Sequence, residues 1–565
     1  MADQRRILTG PLRLTGPLSP TQRSLLVAVD ALCRRWSAEG RPVDCSVGIL
    51  TGSLASQASL ERELAREGHD RETLGKEAFV ERMREHEVAA RALAVEDAAA
   101  LGIQVDLGAA AGEVEAAEEA ARTAFVQLYE AGLLELADRV VGTCPRCETV
   151  VEGVDAEESW VETSRLTLTV SLGDARSISV EVDAPELLLG AVALVVPLDH
   201  PDAGATAVVP LADNAVPVIS DPDVDSPRFL VPAHSEEDLA ISRRHGMLPV
   251  LVVDDEGAIQ LLGPLHGLTR FAARATAVDR LQEAGVVTAS EDVEEPARRC
   301  RRCGTLIIGR LGRHWFLRMD ELEVAAADAI RQGSVTFSPA EAREPFLERA
   351  GQGEPWCLSS RVLAGVPVPV ATCLDCGRVT VEVDVGVSCN KCMGTLEADD
   401  GALDARFVGV LWALVTLGWP DDDRSYAERA AEATFVTTPA GLLAWALPMT
   451  ALGLRLGRAA PFSRVAVQTP VGAETETATE LTGAAGRVAA LSESAAQDPN
   501  ALAAALADPP EGEGDLDDIL PLYESAFDAG LPGGALDVLA SLVGTGVPAS
   551  SADRVRALAA PLLGD

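Results

Sequence analysis

Cys373-Leu-Asp-Cys376 and Cys389-Asn-Lys-Cys392 give the second half of this 565-residue chain its clearest folding signal. Two cysteines on a tight turn bring two thiolates within reach of one tetrahedral ion, and two such pairs complete a structural zinc site. These pairs are close enough in sequence to form one zinc ribbon. The alternatives are redox dithiols or unpaired buried cysteines, but no thioredoxin-like context surrounds them.

Cys144-Pro-Arg-Cys147 and Cys300-Arg-Arg-Cys303 repeat the spacing at a much larger separation. The two pairs can share one ion only if the segment between them is a self-contained insertion. We therefore expect two structural zinc ions in total. The remaining cysteines have apolar or helical surroundings and are predicted to be core residues: Cys33, Cys45 and Cys357.

Composition limits the function classes. The formal net charge of -40 argues against a large basic footprint for RNA, so tRNA binding is unexpected. No signal peptide and no apolar stretch long enough to span a bilayer are recognised, so no membrane partner is predicted. Cysteines in metal-binding spacing favour a cytoplasmic location.

Residue periodicity predicts an α/β protein. Alternating β-branched residues, as in Leu166–Leu172 and Ile178–Val182, predict a β-rich, barrel-like segment between about Val161 and Val253. Apolar residues at helical spacing surround it. They predict helices at Gln22–Trp36, Glu113–Leu134, Arg270–Ala284 and Asp320–Gln332.

Several segments, in order, resemble the class I valyl-tRNA synthetases. They are Gly267–Arg274, His314–Met319, Trp356–Ser359, Cys373 to Cys392 and Leu403–Pro420. The resemblance covers roughly residues 10–505. It implies a Rossmann-type core split by a β-rich, editing-like insertion, with zinc knuckles and a short helical tail.

The resemblance also implies a domain division. The core would comprise 1–143 and 346–507, the latter containing the ribbon 373–392. The editing-like insertion would comprise 161–266, and 508–565 would be a linker and helical tail, too short for the family's anticodon-binding domain. The first zinc knuckle would have its halves in 144–160 and 267–345.

The family's two ATP signatures are missing. Its His-x-Gly-His motif, which binds ATP, falls on Ser19-Pro-Thr-Gln22, and its Lys-Met-Ser-Lys-Ser loop falls on Thr477-Ala-Thr-Glu-Leu481. Glu480 would repel the phosphate that the loop's second lysine should hold. The resemblance thus describes a degenerate, truncated paralogue for which ATP is a doubtful cofactor.

The amino-acid site has lost its polar groups as well. The family's Asp-His becomes Leu50-Thr51, an expected Asp becomes Ala440, the His-Gly of the last core strand becomes Gln468-Thr469, and a Trp-Trp-Gly-His-Arg run becomes Leu363–Pro367. No catalytic and no cofactor-binding residue is therefore predicted.

The insertion retains two residues of the family's editing site. The family's Thr-Thr-Arg-Pro-Glu-Thr segment appears as Val182–Leu187, and a second segment, Phe229–Asp238, keeps His234 and Asp238. In the family the latter carboxylate grips the substrate amine. The alternative interpretation is a helix N-terminus capped by Ser235 and Asp238.

Three functions remain open. The first is a non-catalytic, zinc-stabilised scaffold or regulatory binding protein with an unidentified protein partner. The second is a class I aminoacyl-tRNA ligase-like enzyme that activates or edits an aminoacyl substrate with unconventional residues. The third is a tRNA-binding or editing factor that works in trans, against which the acidic charge stands.

Overall fold

The computed structural model divides the chain into two compact units. The core unit comprises Met1–Glu135, Leu317–Leu358 and Leu363–Asp565, and the inserted unit comprises Leu136–Phe316 and Ser359–Val362. The residues that the structure describes are 4–107, 110–151, 153–173, 176–212, 214–421, 423–468, 487, 490–491, 499–510, 516–528, 531–545 and 547–564.

A fully parallel sheet of five strands, here called the parallel sheet, forms the centre of the core unit. The strands, in spatial order, are Thr336–Ser338, Arg464–Val467, Ala433–Thr437, Arg5–Thr9 and Val43–Ser46. The order changes direction between Arg5–Thr9 and Ala433–Thr437. Such a switch point leaves a crevice outside the carboxyl ends of the two strands, where ligands bind in open α/β sheets.

Helices surround the parallel sheet. Within the described part of the core unit, the α-helices are Pro20–Ala38, Leu54–Glu67, Arg71–Leu74, Lys76–Ala100, Ala110–Glu130, Asp320–Arg331, Glu344–Arg349, Ala405–Thr416, Asp423–Glu432, Pro499–Ala507, Leu516–Asp528, Pro532–Thr545 and Ala552–Leu563, together with a mixed α/π helix at Pro439–Gly457. The helices predicted from periodicity at Gln22–Trp36, Glu113–Leu134 and Asp320–Gln332 are confirmed within a few residues.

The first helix, Pro20–Ala38, is clamped by later parts of the chain. Its apolar face shares one hydrophobic cluster with the tail helices, which are the last four α-helices, 499–563. The buried Asp30 carboxylate accepts a bond from Arg487 Nη1 at 2.6 Å, and the same guanidinium donates to the carbonyls of Pro561 and Leu562. The tail is therefore part of the core unit.

The helix Pro439–Gly457 corrects one expectation from the sequence. It is long and apolar enough to cross a membrane, although no such stretch was recognised, and 61% of the apolar window is buried inside the protein. A core helix passes the same test. Pro448 lacks an N–H and would clash with the carbonyl four residues earlier, and the wider π-helical turn Leu442–Ala446 just before it relieves that clash.

The inserted unit is rich in antiparallel strands. Its longer strands are Leu134–Cys144, Ala156–Ser171, Ser177–Val182, Ala193–Val196, Ala215–Ser220, Val287–Cys300 and Ile308–Leu317, and shorter ones are Thr149–Val150, Thr206–Val208 and Arg228–Leu230. The α-helices Glu236–Arg244 and Arg270–Glu283 accompany them among the described residues. Alternating residues such as Leu166 and Leu168 are fully buried, as their pattern predicted.

Candidate metal centres and substrate cleft

Tryptophan rings occupy the carboxyl edge of the parallel sheet. Trp445 packs on Gly10, directly after the first strand, so that a Cβ on Gly10 would lie 2.8 Å from the indole. Trp412 packs equally closely on Gly48. Both rings are almost completely buried, which makes this part of the crevice apolar.

Ser19 and Gln22, the positions expected for the ATP-binding histidines, form a capping box on the first helix. The Ser19 hydroxyl accepts a bond from the Gln22 N–H at 3.3 Å, and the Gln22 side-chain oxygen accepts one from the Ser19 N–H at 2.8 Å. The Gln22 amide nitrogen donates to the Arg13 carbonyl. Both side chains therefore satisfy backbone groups of the helix start.

The amino-acid positions carry no charge in the structure. Leu50 is buried, and its Cδ1 would stand 3.0 Å from a Cβ at Gly409. Ala440 lies exposed in the first turn after the Thr438 cap. A carboxylate missed by sequence reasoning, Glu87, accepts a bond from the Gly52 N–H at 2.8 Å, and burial raises its pKa.

The remaining cleft positions support the backbone. The carbonyl of Ala364, within Leu363–Pro367, accepts a bond from the Gln57 side chain. Gln468 is buried, and its N–H donates to the Thr437 carbonyl. Thr469 and the segment Thr477–Leu481 lie outside the described residues.

The first cysteine group is assembled in the inserted unit. The Sγ atoms of Cys144 and Cys303 are 3.4 Å apart, and Cys147 Sγ lies 3.5 Å from Cys303 and 3.9 Å from Cys300. All four sulfurs lie within 4.8 Å of one another. The chain between the two pairs is thus a self-contained insertion that returns to close the site.

The second group forms the zinc ribbon in the core unit. Its Sγ atoms are 3.4 Å apart for Cys373 and Cys392 and 3.8 Å apart for Cys376 and Cys389. Three short antiparallel strands carry the group, namely Val370–Cys373, Val379–Val381 and Leu396–Ala398. The Lys391 and Cys392 N–H groups lower the pKa of the Cys389 thiol to about 6, which favours the thiolate that a metal requires.

Both groups fit zinc. A tetrahedral ion with Zn–S bonds of about 2.3 Å separates its sulfurs by about 3.8 Å, close to the 3.4–3.9 Å observed. Each group can therefore hold one metal ion as a closed four-thiolate site. Such a site has no open coordination position and serves stability rather than catalysis.

Each knuckle depends on a left-handed residue after its second cysteine. The carbonyl of the first cysteine accepts a bond from the N–H four residues later, and that residue has a positive φ. Gly304 and Gly377 do this at no steric cost. Glu148 and Met393 do the same with φ of 54° and 63°, and no glycine marked these positions in the sequence.

His234 is held as a neutral imidazole in the inserted unit. Its Nδ1 lies 2.8 Å from the Gly309 carbonyl, and its Nε2 accepts a bond from the Val252 N–H at 3.2 Å. Burial lowers the His234 pKa to about 4. Both ring nitrogens are therefore used by the backbone.

Asp238 is also tied to its surroundings. Its carboxylate accepts a bond from the Val231 N–H at 2.7 Å and pairs with Arg228. Ser235 is the cap of the helix Glu236–Arg244 and receives the Asp238 N–H. The two retained editing-like residues thus have structural partners, and Ser235 caps the helix as the alternative interpretation proposed.

Glu186, within Val182–Leu187, is a buried carboxylate that sequence reasoning did not select. Its Oε1 accepts a bond from Arg270 Nε at 2.8 Å, and Oε2 lies 3.7 Å from Arg274. The two arginines are four residues apart on the helix Arg270–Glu283, so they face the same side. The four-residue spacing of the arginines was the available signal in the sequence, but it does not identify their acidic partner 84 residues earlier.

The chain belongs to the class I tRNA synthetases of the isoleucine, leucine, methionine and valine group. The family model described as "tRNA synthetases class I (I, L, M and V)" matches residues 7–476. Similar curated proteins include the valine–tRNA ligase of Carboxydothermus hydrogenoformans, which is 29% identical over 477 residues, covering 81% of this chain and 53% of that one. The valine–tRNA ligase of Streptomyces coelicolor is 30% identical over 477 residues, covering 82% and 54%.

The chain spans about half the length of these relatives. Solved structures show the same fold at low identity. The Agrobacterium radiobacter K84 agnB2 LeuRS, in its ternary complex with tRNA and LeuAMS, matches with a TM-score of 0.50 at 13% identity, covering 100% of this chain and 84% of that one. Mycobacterium tuberculosis methionyl-tRNA synthetase matches with 0.50 at 12%, covering 99% and 88%.

Proposed function

We propose that this class I synthetase-like chain is non-catalytic and acts as a zinc-stabilised scaffold or regulatory binding protein. The capping box at Ser19 and Gln22 carries the proposal. Where the family resemblance expects two imidazoles for ATP, two uncharged side chains satisfy the start of the first helix instead.

The expected amino-acid site also supports this proposal, because it lacks a negative charge for the substrate's ammonium group at Leu50 and Ala440. An amino-acid ammonium needs an anion in a buried site, because an unpaired buried charge is strongly unfavourable. Leu50 and Ala440 offer none at the expected positions. Two independent losses favour the loss of activation over a change of amino acid, since a new substrate would still need ATP.

Amino-acid-dependent ATP–pyrophosphate exchange on zinc-loaded protein tests the proposal. Valine and the other amino acids are screened, with an active valyl-tRNA synthetase as the control. We expect no exchange above background. Exchange with any amino acid would show that the losses are compensated and would overturn the proposal.

The alternative is an aminoacyl-tRNA ligase-like enzyme with unconventional residues, and Glu87 is the observation that favours it. Its partly buried carboxylate lies at Gly52, next to Leu50-Thr51, where the resemblance expects the substrate-binding Asp. A melting temperature raised by ATP or an aminoacyl-adenylate analogue would support this alternative. The rise should then be smaller in Glu87→Gln, whereas the exposed Glu81→Gln should keep it.

A further inference from the structure

The inserted unit contains an open groove of about 870 Å³ that the proposed cleft and metal sites do not use. One wall is formed by the paired antiparallel strands Ala156–Ser171 and Val287–Cys300. This strand pair is here called the ribbon and is distinct from the zinc ribbon of the core unit. The other wall includes Arg270, Phe271 and Arg274 of the neighbouring helix. Trp160 and Phe271 are large aromatic residues at the groove, with 66% and 49% of their surfaces exposed.

The ribbon presents a free strand edge to this groove. The Thr169 N–H bonds to the Val286 carbonyl, so odd-numbered residues of this strand direct their backbone towards Val287–Cys300. The backbone N–H and C=O groups of even-numbered residues point to the opposite edge of the strand, away from Val287–Cys300. Arg274 accordingly donates to the Ser164 carbonyl at this outward edge. The strand Ser177–Val182 covers the outward edge only from Leu166 onward.

The outward-facing backbone groups of Glu158, Trp160 and Glu162 therefore line the groove without a strand beside them among the described residues. An extended peptide can add to such an edge through main-chain hydrogen bonds. Native proteins usually protect open edges with charges or short strands, because an unprotected edge pairs with other chains.

Negative charge dominates the exposed face of the ribbon beside this edge. Glu162 lies directly opposite Glu294, and both are exposed and lack an ion pair within the described part of the chain. Like charges opposite each other destabilise a strand pair. Trp160 is the next residue on the same face, and its ring can hold a cation by cation–π attraction.

Acidic side chains outnumber basic ones along the groove, with Glu158, Glu162, Glu186 and Glu295 against Arg270, Arg274 and Arg298. Glu186, which is 1% exposed on its side chain, pairs with Arg270 and Arg274. Arg298 lies directly opposite Glu158. Four carboxylates against three guanidiniums leave the groove lining with one excess negative charge, and Glu294, opposite Glu162, adds another beside it, which favours a cationic occupant.

We propose that the ribbon binds an extended peptide with Lys or Arg at alternate positions, which adds as a strand to the edge at residues 158–162. Alternate side chains of such a strand point to one face, so its cations would meet Trp160, Glu162 and Glu294. This inference deepens the proposed binding role by giving it a surface and a class of partner.

Fluorescence anisotropy with a labelled eight-residue peptide of alternating Lys and Val tests the inference on zinc-loaded, full-length protein. We expect saturable binding that Trp160→Ala and Glu162→Lys each weaken about tenfold. Glu157→Lys is the matched control, since it makes the same charge change on the opposite face of the strand, where Glu157 lies opposite Arg299 in the strand register. It should change affinity by less than about twofold.

Two N-methylated versions of the peptide test strand addition itself. One carries methyl groups on the Lys amides and the other on the Val amides, and only one set of N–H groups can face the ribbon edge. One version should lose binding and the other keep it. Equal binding of both versions would overturn the inference.

Other outcomes are equally decisive. If Glu162→Lys and Glu157→Lys weaken peptide binding equally, the binding is non-specific electrostatic attraction and the inference is wrong. The absence of peptide binding to the folded protein would also overturn the inference. Binding of tRNA that Trp160→Ala abolishes would reassign the surface to nucleic acid. Circular dichroism and zinc content verify that each variant folds. Pyrophosphate exchange tests the proposed function separately, because these variants lie outside the core unit.

Discussion

Among single residues, the cysteine thiols have the clearest chemical role. Each group of four brings its sulfurs to distances that suit one tetrahedral ion. Without metal, such thiols must either protonate or repel one another, so metal binding and folding are coupled.

Cys373→Ala combined with Cys376→Ala is expected to lower bound zinc from about two ions to about one per chain and to destabilise the core unit. Elemental analysis and urea unfolding measure the two effects. Cys33→Ala, outside both groups, should leave the zinc content unchanged. A parent protein that is fully stable without metal would contradict the prediction.

His234 should make the inserted unit sensitive to acid. Burial lowers its folded pKa to about 4, whereas an unfolded histidine has a pKa of about 6.5. The folded state therefore binds fewer protons. Its contribution is fully present above about pH 6.5 and is lost as pH falls towards and through 4, with a total on the order of 3 kcal/mol.

Urea unfolding between pH 7 and pH 4 measures this effect as the difference between parent and variant. His234→Gln should lose stability at pH 7 but lose less of it on acidification. His69→Gln, at an exposed position, should keep the parent's pH dependence. The same pH dependence in both variants would assign the acid sensitivity to other groups.

The chemical role of individual residues could be predicted from the sequence only where motif spacing or the family resemblance indicates it. The two groups of four cysteines followed from the paired spacing, and the loss of the cleft's polar groups followed from the resemblance. The positive φ of Glu148 and Met393 could not be foreseen, because neither residue type favours that conformation. Glu186 was also missed, since its arginines are distant in sequence.

At the level of elements, the first helix is secured at both its start and its middle. Ser19 and Gln22 cap the N-terminus, and Asp30 bonds to Arg34, Arg487 and the Gln104 N–H. The Asp30–Arg487 pair is fully buried. Removing Arg487 is costly because Asp30 loses a buried charged partner, although Arg34 still bonds it, and the carbonyls of Pro561 and Leu562 lose a buried donor.

Arg487→Met should destabilise the core unit by about 3 kcal/mol and increase hydrogen exchange in the helix Ala552–Leu563. Urea unfolding and exchange mass spectrometry provide the measurements. Arg556→Met, which removes an exposed pair with Asp508, should cost less than about 1 kcal/mol. Equal costs for the two substitutions would argue against the clamp.

Helix positions could be predicted from the sequence, but their packing could not. Apolar spacing located helices such as Arg270–Glu283 within a few residues. The contact between Asp30 and Arg487 joins residues that no local pattern connects. The open edge at Glu158–Glu162 is likewise a result of which strands pair, and alternation alone does not determine pairing.

For the whole molecule, the net negative charge bears on its association with nucleic acids. The chain carries 87 acidic and 47 basic residues. Nucleic-acid binding depends mainly on Lys and Arg that neutralise phosphates and release counterions. We therefore expect the electrostatic field around this protein to oppose association with tRNA.

A gel shift with tRNA at low salt is expected to show no complex, because low salt strengthens any electrostatic contribution to binding. An active valyl-tRNA synthetase provides the positive control. A shifted band that disappears with added salt would contradict the prediction and would support a tRNA-binding factor.

The fold class could be predicted because many weak matches occur in the right order along the chain. The five-stranded parallel sheet and the strand-rich insertion agree with that expectation. The position of the tail could not be predicted, because a short helical segment after a loop is compatible with several packings.

Docking of residues 552–563 on the first helix constrains how the chain can fold during synthesis. The two helices are separated by roughly 500 residues, which a ribosome adds in about 25–100 s at roughly 5–20 residues per second. The inserted unit lies almost entirely within one continuous span and can form during that interval. The apolar face of the first helix stays uncovered until the tail helices have been synthesised. We therefore expect the nascent chain to depend on chaperones during that interval.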